Sequence, residues 1–222
     1  PFHLFITQEM VASTQPLARE QQLLLQRIMA SHCIHHQDAI RVFKELRVPN
    51  NSLEEAFETI NRQLTKGFGL EIATVVMDNK TKYHAVINIR NDDVAGSAFE
   101  AHYNPHERAL VRLILEKLVT TPNEENSPAV ALPKKDLINL RNELEDPYKI
   151  TSVAHAQYVV EMLLDEQYLR VATSSATPSS QRRESLQTLL ELAPRAYLEL
   201  STYLSEIGVP TDSMPQFLFH RS

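Results

Sequence analysis

The order of elements predicts a mostly α protein with small β-hairpin wings, an α+β fold of tandem winged-helix domains. Three observations carry this. Residues 52–89 read as an amphipathic helix feeding a hairpin, with two shorter helical stretches before it. Residues 105–192 repeat the same order. At 222 residues with 43% hydrophobic side chains, the chain is long enough for two small domains, each with its own core.

Taken in order, Phe2, Leu4, Phe5 and Ile6 form an apolar arm within residues 1–16. A first helix is expected over 17–31, where Leu23, Leu24, Leu25, Ile28 and Met29 cover an arc wider than one core-facing stripe. Part of that surface should face another chain or the second half. A second helix at 37–46 aligns Ala39, Ile40, Phe43 and Leu46. The third starts at Ser52 as N-cap, with Glu55 as its capping-box partner, and its stripe is Leu53, Ala56, Phe57, Ile60 and Leu64. Gly67 and Gly69 are expected to end it. The apolar runs 70–77 and 83–89 then form a hairpin across Asp78-Asn79-Lys80-Thr81.

A polar connector (91–104) separates winged-helix domain A (17–90) from domain B (105–207). Domain B starts with a helix at 105–119 whose Leu110, Val111, Leu113, Ile114, Leu115 and Leu118 again exceed one stripe. After a Pro-, Asn- and Glu-rich loop come a short helix at 134–144 and a Ser152-capped helix at 152–167. Strands at 168–173 and 186–192 flank a polar tip, 174–183. A last helix is expected over 194–207 with Pro194 in its first turn. Residues 208–222 lack periodicity and read as a linker.

Composition excludes several classes. No apolar run approaches the roughly 20 residues that span a bilayer, and no signal segment opens the chain at Pro1, so a soluble protein without membrane contact is expected. The four glycines form no phosphate-binding loop. The single cysteine, Cys33, excludes an intramolecular disulfide and any multi-cysteine zinc module in these residues.

The net charge of −6, from 28 acidic and 22 basic residues, is unlike a dedicated DNA binder. A groove-reading third helix needs basic or amide side chains on its open face. Here the first-domain helix sets Glu54, Glu55 and Glu58 against Arg62 and Lys66, and its second-domain equivalent carries Glu161, Asp165 and Glu166 with no Lys or Arg. The remaining phosphate-contact candidates are the wing residues Lys80 and Lys82, and Arg182 and Arg183. They define the alternative reading, a tandem winged-helix regulator that touches DNA phosphates through its wings.

His32-Cys33-Ile34-His35-His36 is the densest chemical cluster, with donors that suit Zn²⁺. Adjacent loop residues rarely converge on one tetrahedral ion, and no second ligand pair has the usual spacing. A loop with Cys33 or Ile34 buried and the histidines facing water is the competing reading. His102, His106 and His155 lie on different elements without a nucleophile-elbow serine. No catalytic residue, metal ligand or cofactor is assigned to this chain.

Two stretches carry a family pattern. Phe57, Ile60-Asn61, Leu64, Leu70-Glu71-Ile72, Tyr83, Ala85-Val86 and Asn88 form one, and Arg195-Ala196, Leu198-Glu199-Leu200 and Tyr203-Leu204 the other. Together they resemble the first non-SMC element, the RING-bearing subunit of the Smc five-six complex, over residues 21–207. The resemblance implies tandem winged helices of the kleisin-interacting type, a MAGE-like partner and a kleisin partner; weak duplex contact within the complex is a separate expectation. It also implies a nuclear, chromosome-associated location and a role in chromosome maintenance and recombinational DNA repair. In that family a C-terminal zinc RING adds ubiquitin-ligase activity. Here Gln216, Phe219 and His220 stand where its first ligands would be expected, and one cysteine cannot build the site, so this chain is expected to be non-catalytic. The wide apolar arcs make Leu23, Leu24, Val111 and Leu115 the candidate partner-interface residues.

Overall fold

The computed structural model describes residues 16–77, 79–89, 102–121, 130–172, 188–209 and 214–219. The apolar arm at Phe2 to Ile6, most of the connector and the tip bearing Arg182 and Arg183 lie outside the described residues.

The first half comprises α1 (Arg19–Ala30), β1 (Ile34–His35), α2 (His36–Leu46), α3 (Leu53–Phe68), β2 (Leu70–Val76) and β3 (Lys82–Asn88). The α3 stripe of Leu53, Ala56, Phe57, Ile60 and Leu64 is buried as its spacing predicts, against Leu24 and Ile28 of α1, Ala39 of α2 and Ile72 of β2. Ser52 Oγ accepts from the Glu55 N–H at 3.1 Å, as a cap should. The return bond differs from the expected box: Glu55 Oε2 accepts from the N–H of Asn51, one residue earlier, at 2.9 Å. Gly69, at φ 67°, caps the helix, where a left-handed residue favours glycine. Gly67 stays inside it.

The second half comprises α4 (Pro105–Thr120), β4 (Leu132–Pro133), α5 (Lys134–Asn139), a 3-10 turn (Leu140–Glu143), α6 (Val153–Asp165), β5 (Leu169–Val171), β6 (Leu189–Leu192), α7 (Pro194–Glu199) and α8 (Ser201–Glu206). Its sheet runs β4-β6-β5, all antiparallel. The wide arc of α4 is consumed internally, because α6, the 3-10 turn and β6 pack around it. The expected final helix is broken at Leu200 (φ −111°, ψ 17°). The two short helices on either side of the break bury Tyr197, Leu198, Leu200 and Leu204.

The expected linker at 208–222 contains a strand, β7 (Gln216–Phe219), antiparallel to β2 from Ala73↔Phe219 to Val76↔Gln216. Its four residues are too few to show a sequence period. The first sheet therefore runs β1-β3-β2-β7. Its two faces serve different cores, since alternate side chains of a strand point to opposite sides. Ile72 and Val86 face the three helices of the first half, whereas Ala73, Val75, Ala85 and Ile87 join the core of the second. Ala73 and Ala85 sit opposite each other in the register, and α7 packs over these strands. Two methyl groups leave the room that a helix needs. Burial on both faces explains why residues 70–77 read as one nearly continuous apolar run.

Candidate functional site

The structure redistributes the predicted interface residues. Leu24 and Leu115 are fully buried and Val111 is 1% exposed, so all three are core and present no surface to a partner. The wide arc of α4 is filled by neighbouring elements of the same chain. Leu23 keeps 37% exposure on α1, where Met29 at 49% accompanies it. Further apolar surface lies on α6 at Val153 and Tyr158. An open groove of about 740 Å³ runs between α4 and the turn after the 3-10 segment. Ala109, Leu113, Leu144 and Tyr148 line it, with Arg108 and Arg112 on one wall and Glu145 and Asp146 on the other.

The third-helix faces keep the charge that the sequence indicates. On α3, Glu54, Arg62 and Lys66 are exposed. On α6, Glu161 is bonded to Lys134 of α5, and Ser152 Oγ caps the helix by accepting from the His155 N–H at 3.2 Å. Lys80 sits at the tip of the first wing at φ 61° and is exposed, while Lys82 begins β3 and is half-buried.

The His32 to His36 cluster is divided by the sheet. Ile34 and His36 point toward the helices of the first half, whereas Cys33 packs on the second-half core and the His35 ring meets Tyr83 edge-on at 5.3 Å. Strand alternation sends the donors to opposite faces. Among the described residues no group of three or more His, Cys, Asp or Glu side chains is placed to hold a metal ion. Nor does the competing loop reading fit fully, since β1 forms there and His36 is bonded inward: its Nδ1 lies 2.9 Å from His84 Nε2. Burial beside the Glu199 carboxylate pushes the Cys33 thiol up to about 12, which makes it a poor nucleophile and ligand.

Beside Cys33, a polar cluster ties together elements of the second half. Arg195 Nε donates to Glu199 Oε1 at 2.8 Å and Nη1 donates to the Glu166 carbonyl at 2.6 Å, while the guanidinium lies 4.4 Å from the centre of the Tyr168 ring. The Tyr168 hydroxyl donates to Glu199, and the Tyr103 hydroxyl to Glu166 at 2.9 Å. Burial and the neighbouring carboxylates raise both tyrosines well above the usual phenol range. Burial alone would lower Arg195, but the bond and charge of Glu199 outweigh it and hold the guanidinium protonated. The i, i+4 spacing of Arg195 and Glu199 was the sequence signal; nothing in the sequence tied Tyr103 to Glu166, 63 positions apart.

Comparison with known families decides the assignment. The family described as the Nse1 non-SMC component of the SMC5-6 complex matches residues 21–204. The chain belongs to the Nse1 family. Among solved structures, a chain of one described as the Nse1-Nse3-Nse4 complex shares the fold at a TM-score of 0.63 and 16% identity, with 86% of this chain and 74% of that chain covered. No curated protein matches by sequence. As an Nse1-family chain it is an α+β protein of the tandem winged-helix kind, and its two family patterns now have physical content. Asn61 of the first pattern bonds both backbone groups of Ile72 in β2, and Arg195 and Glu199 of the second tie α7 to Tyr168 and the Glu166 carbonyl.

Proposed function

We propose that these residues form a non-catalytic assembly subunit of an SMC5-6 complex, binding a MAGE-like Nse3 subunit and a kleisin Nse4 subunit. The family match over residues 21–204 is the observation that carries the reading. The solved relative comes from a complex named for Nse1, Nse3 and Nse4, which supplies the two partners. The charge of the third helices supports protein over DNA as ligand, because α6 has no Lys or Arg and α3 puts Glu54 in its first turn.

The same reading places the subunit in the nucleus, on chromosomes, in maintenance and recombinational repair. One cysteine cannot supply the ligands of a zinc RING. The family's ligase activity is accordingly not assigned to these residues, whose role is binding.

Size-exclusion chromatography of the chain mixed with recombinant Nse3 and Nse4 tests the proposal. A stoichiometric co-eluting complex is expected. Elution of the chain as an unchanged monomer, with either partner alone and with both, would contradict it.

A further inference from the structure

The first wing and α2 are joined by a pair of imidazoles. His84, on β3, is 2% exposed, and its two ring nitrogens are both engaged: Nδ1 lies 2.7 Å from Thr74 Oγ1 of β2, and Nε2 lies 2.9 Å from Nδ1 of His36, the first residue of α2. The Phe57 ring of α3 closes one side edge-on at 5.0 Å. His84 is thus held between a hydroxyl, an aromatic ring and a second histidine.

Each hydrogen bond between two nitrogens needs one hydrogen and one lone pair. With both rings neutral, His36 Nδ1–H donates to His84 Nε2 and His84 Nδ1–H donates to the Thr74 hydroxyl, or the whole chain runs the other way with Thr74 donating. One added proton is accommodated, because an imidazolium at His36 still donates to a neutral His84. A second is not: two N–H groups would then face each other across 2.9 Å with no acceptor between them. Two cations would also share a largely apolar site.

We propose that His36 and His84 form a proton-operated clasp, holding α2 on the first wing while their axis carries one hydrogen and releasing it when both facing nitrogens are protonated. The charged surroundings reinforce this. Burial holds His36 below the usual imidazole range, the Lys82 ammonium on β3 and His35 on β1 push the same way, and Glu54 on α3 opposes them. A group whose value is lower in the fold than in the unfolded chain takes up fewer protons when folded, so its stabilisation is complete above about pH 6.5 and is lost as the pH falls below it. Because β3 also carries Tyr83, Ala85 and Ile87 against the second half, the clasp sits on the sheet that joins both cores.

Ring ¹⁵N NMR titration of the full chain, with urea unfolding of the same protein and of His36→Gln, tests the clasp. The glutamine amide can donate to His84 but does not titrate. The two wild-type rings should protonate in separate steps, with His36 below the ordinary imidazole value of about 6.5. The wild-type urea midpoint should fall further than that of His36→Gln between neutral pH and about pH 5. Independent titration of both rings at the ordinary value of about 6.5, or parallel loss of stability in the two proteins, would overturn the proposal.

Discussion

Asn61 shows how much one side chain can decide. It is 3% exposed on α3, donates through Nδ2 to the Ile72 carbonyl at 3.0 Å and accepts at Oδ1 from the Ile72 N–H at 2.8 Å. The amide satisfies both backbone groups of Ile72, next to the stretch from Ala73 to Val76 that pairs with β7. Asn61→Ala should cost about 3 kcal/mol, because it strands a buried donor and a buried acceptor together. Chemical denaturation measures this, and a loss below about 1 kcal/mol would show that water or relaxation replaces both bonds. Asn61 stood in the family pattern, but its partner could not be read there, since the bond depends on how α3 packs against β2. The Ser52 cap was legible to the residue. The return bond from Glu55 was not, because a long side chain reaches Asn51 as readily as Ser52.

At the scale of elements, the helices and hairpins were legible because periodic burial drives them. The α3 stripe, both serine caps and both antiparallel hairpins follow from apolar spacing and polar tips. Elements too short for a period escaped: β1 has two residues, β7 has four, and both form only because β3 and β2 offer edges to pair with. A wide apolar arc was a true signal with an ambiguous meaning. On α4 it marks a helix surrounded by its own chain, so Val111 and Leu115 are core, while on α1 it leaves Leu23 and Met29 at the surface. The wings differ from the groove readers they resemble in outline, since Lys80 is exposed at the tip but Lys82 is half-buried on β3. The double change Lys80→Glu, Lys82→Glu should leave assembly with Nse3 and Nse4 within about twofold, as expected for solvated charges. Calorimetric titration checks this; a loss of tenfold or more would place the wing in the interface.

The whole molecule is more than two domains in a row. The first sheet is buried on one side by α1, α2 and α3 and on the other by the second half, with the facing alanines Ala73 and Ala85 under α7. A subunit of this kind offers its partners a single body. Ala85→Leu should wedge α7 away from the sheet and destabilise the fold by about 1–3 kcal/mol, the usual result of overpacking. The chain carries its own reporter of this joint. Cys33 is the single cysteine, it packs against the second-half core, and its thiol is pushed up to about 12 by burial beside Glu199. The rate of Cys33 alkylation by a maleimide at mildly alkaline pH therefore tests the joined architecture most directly. The native chain should react slowly, at least about tenfold slower than in denaturant, with Ala85→Leu in between, because a protonated, packed thiol must first be uncovered. Native Cys33 that labels as fast as in the unfolded chain would contradict the joined cores.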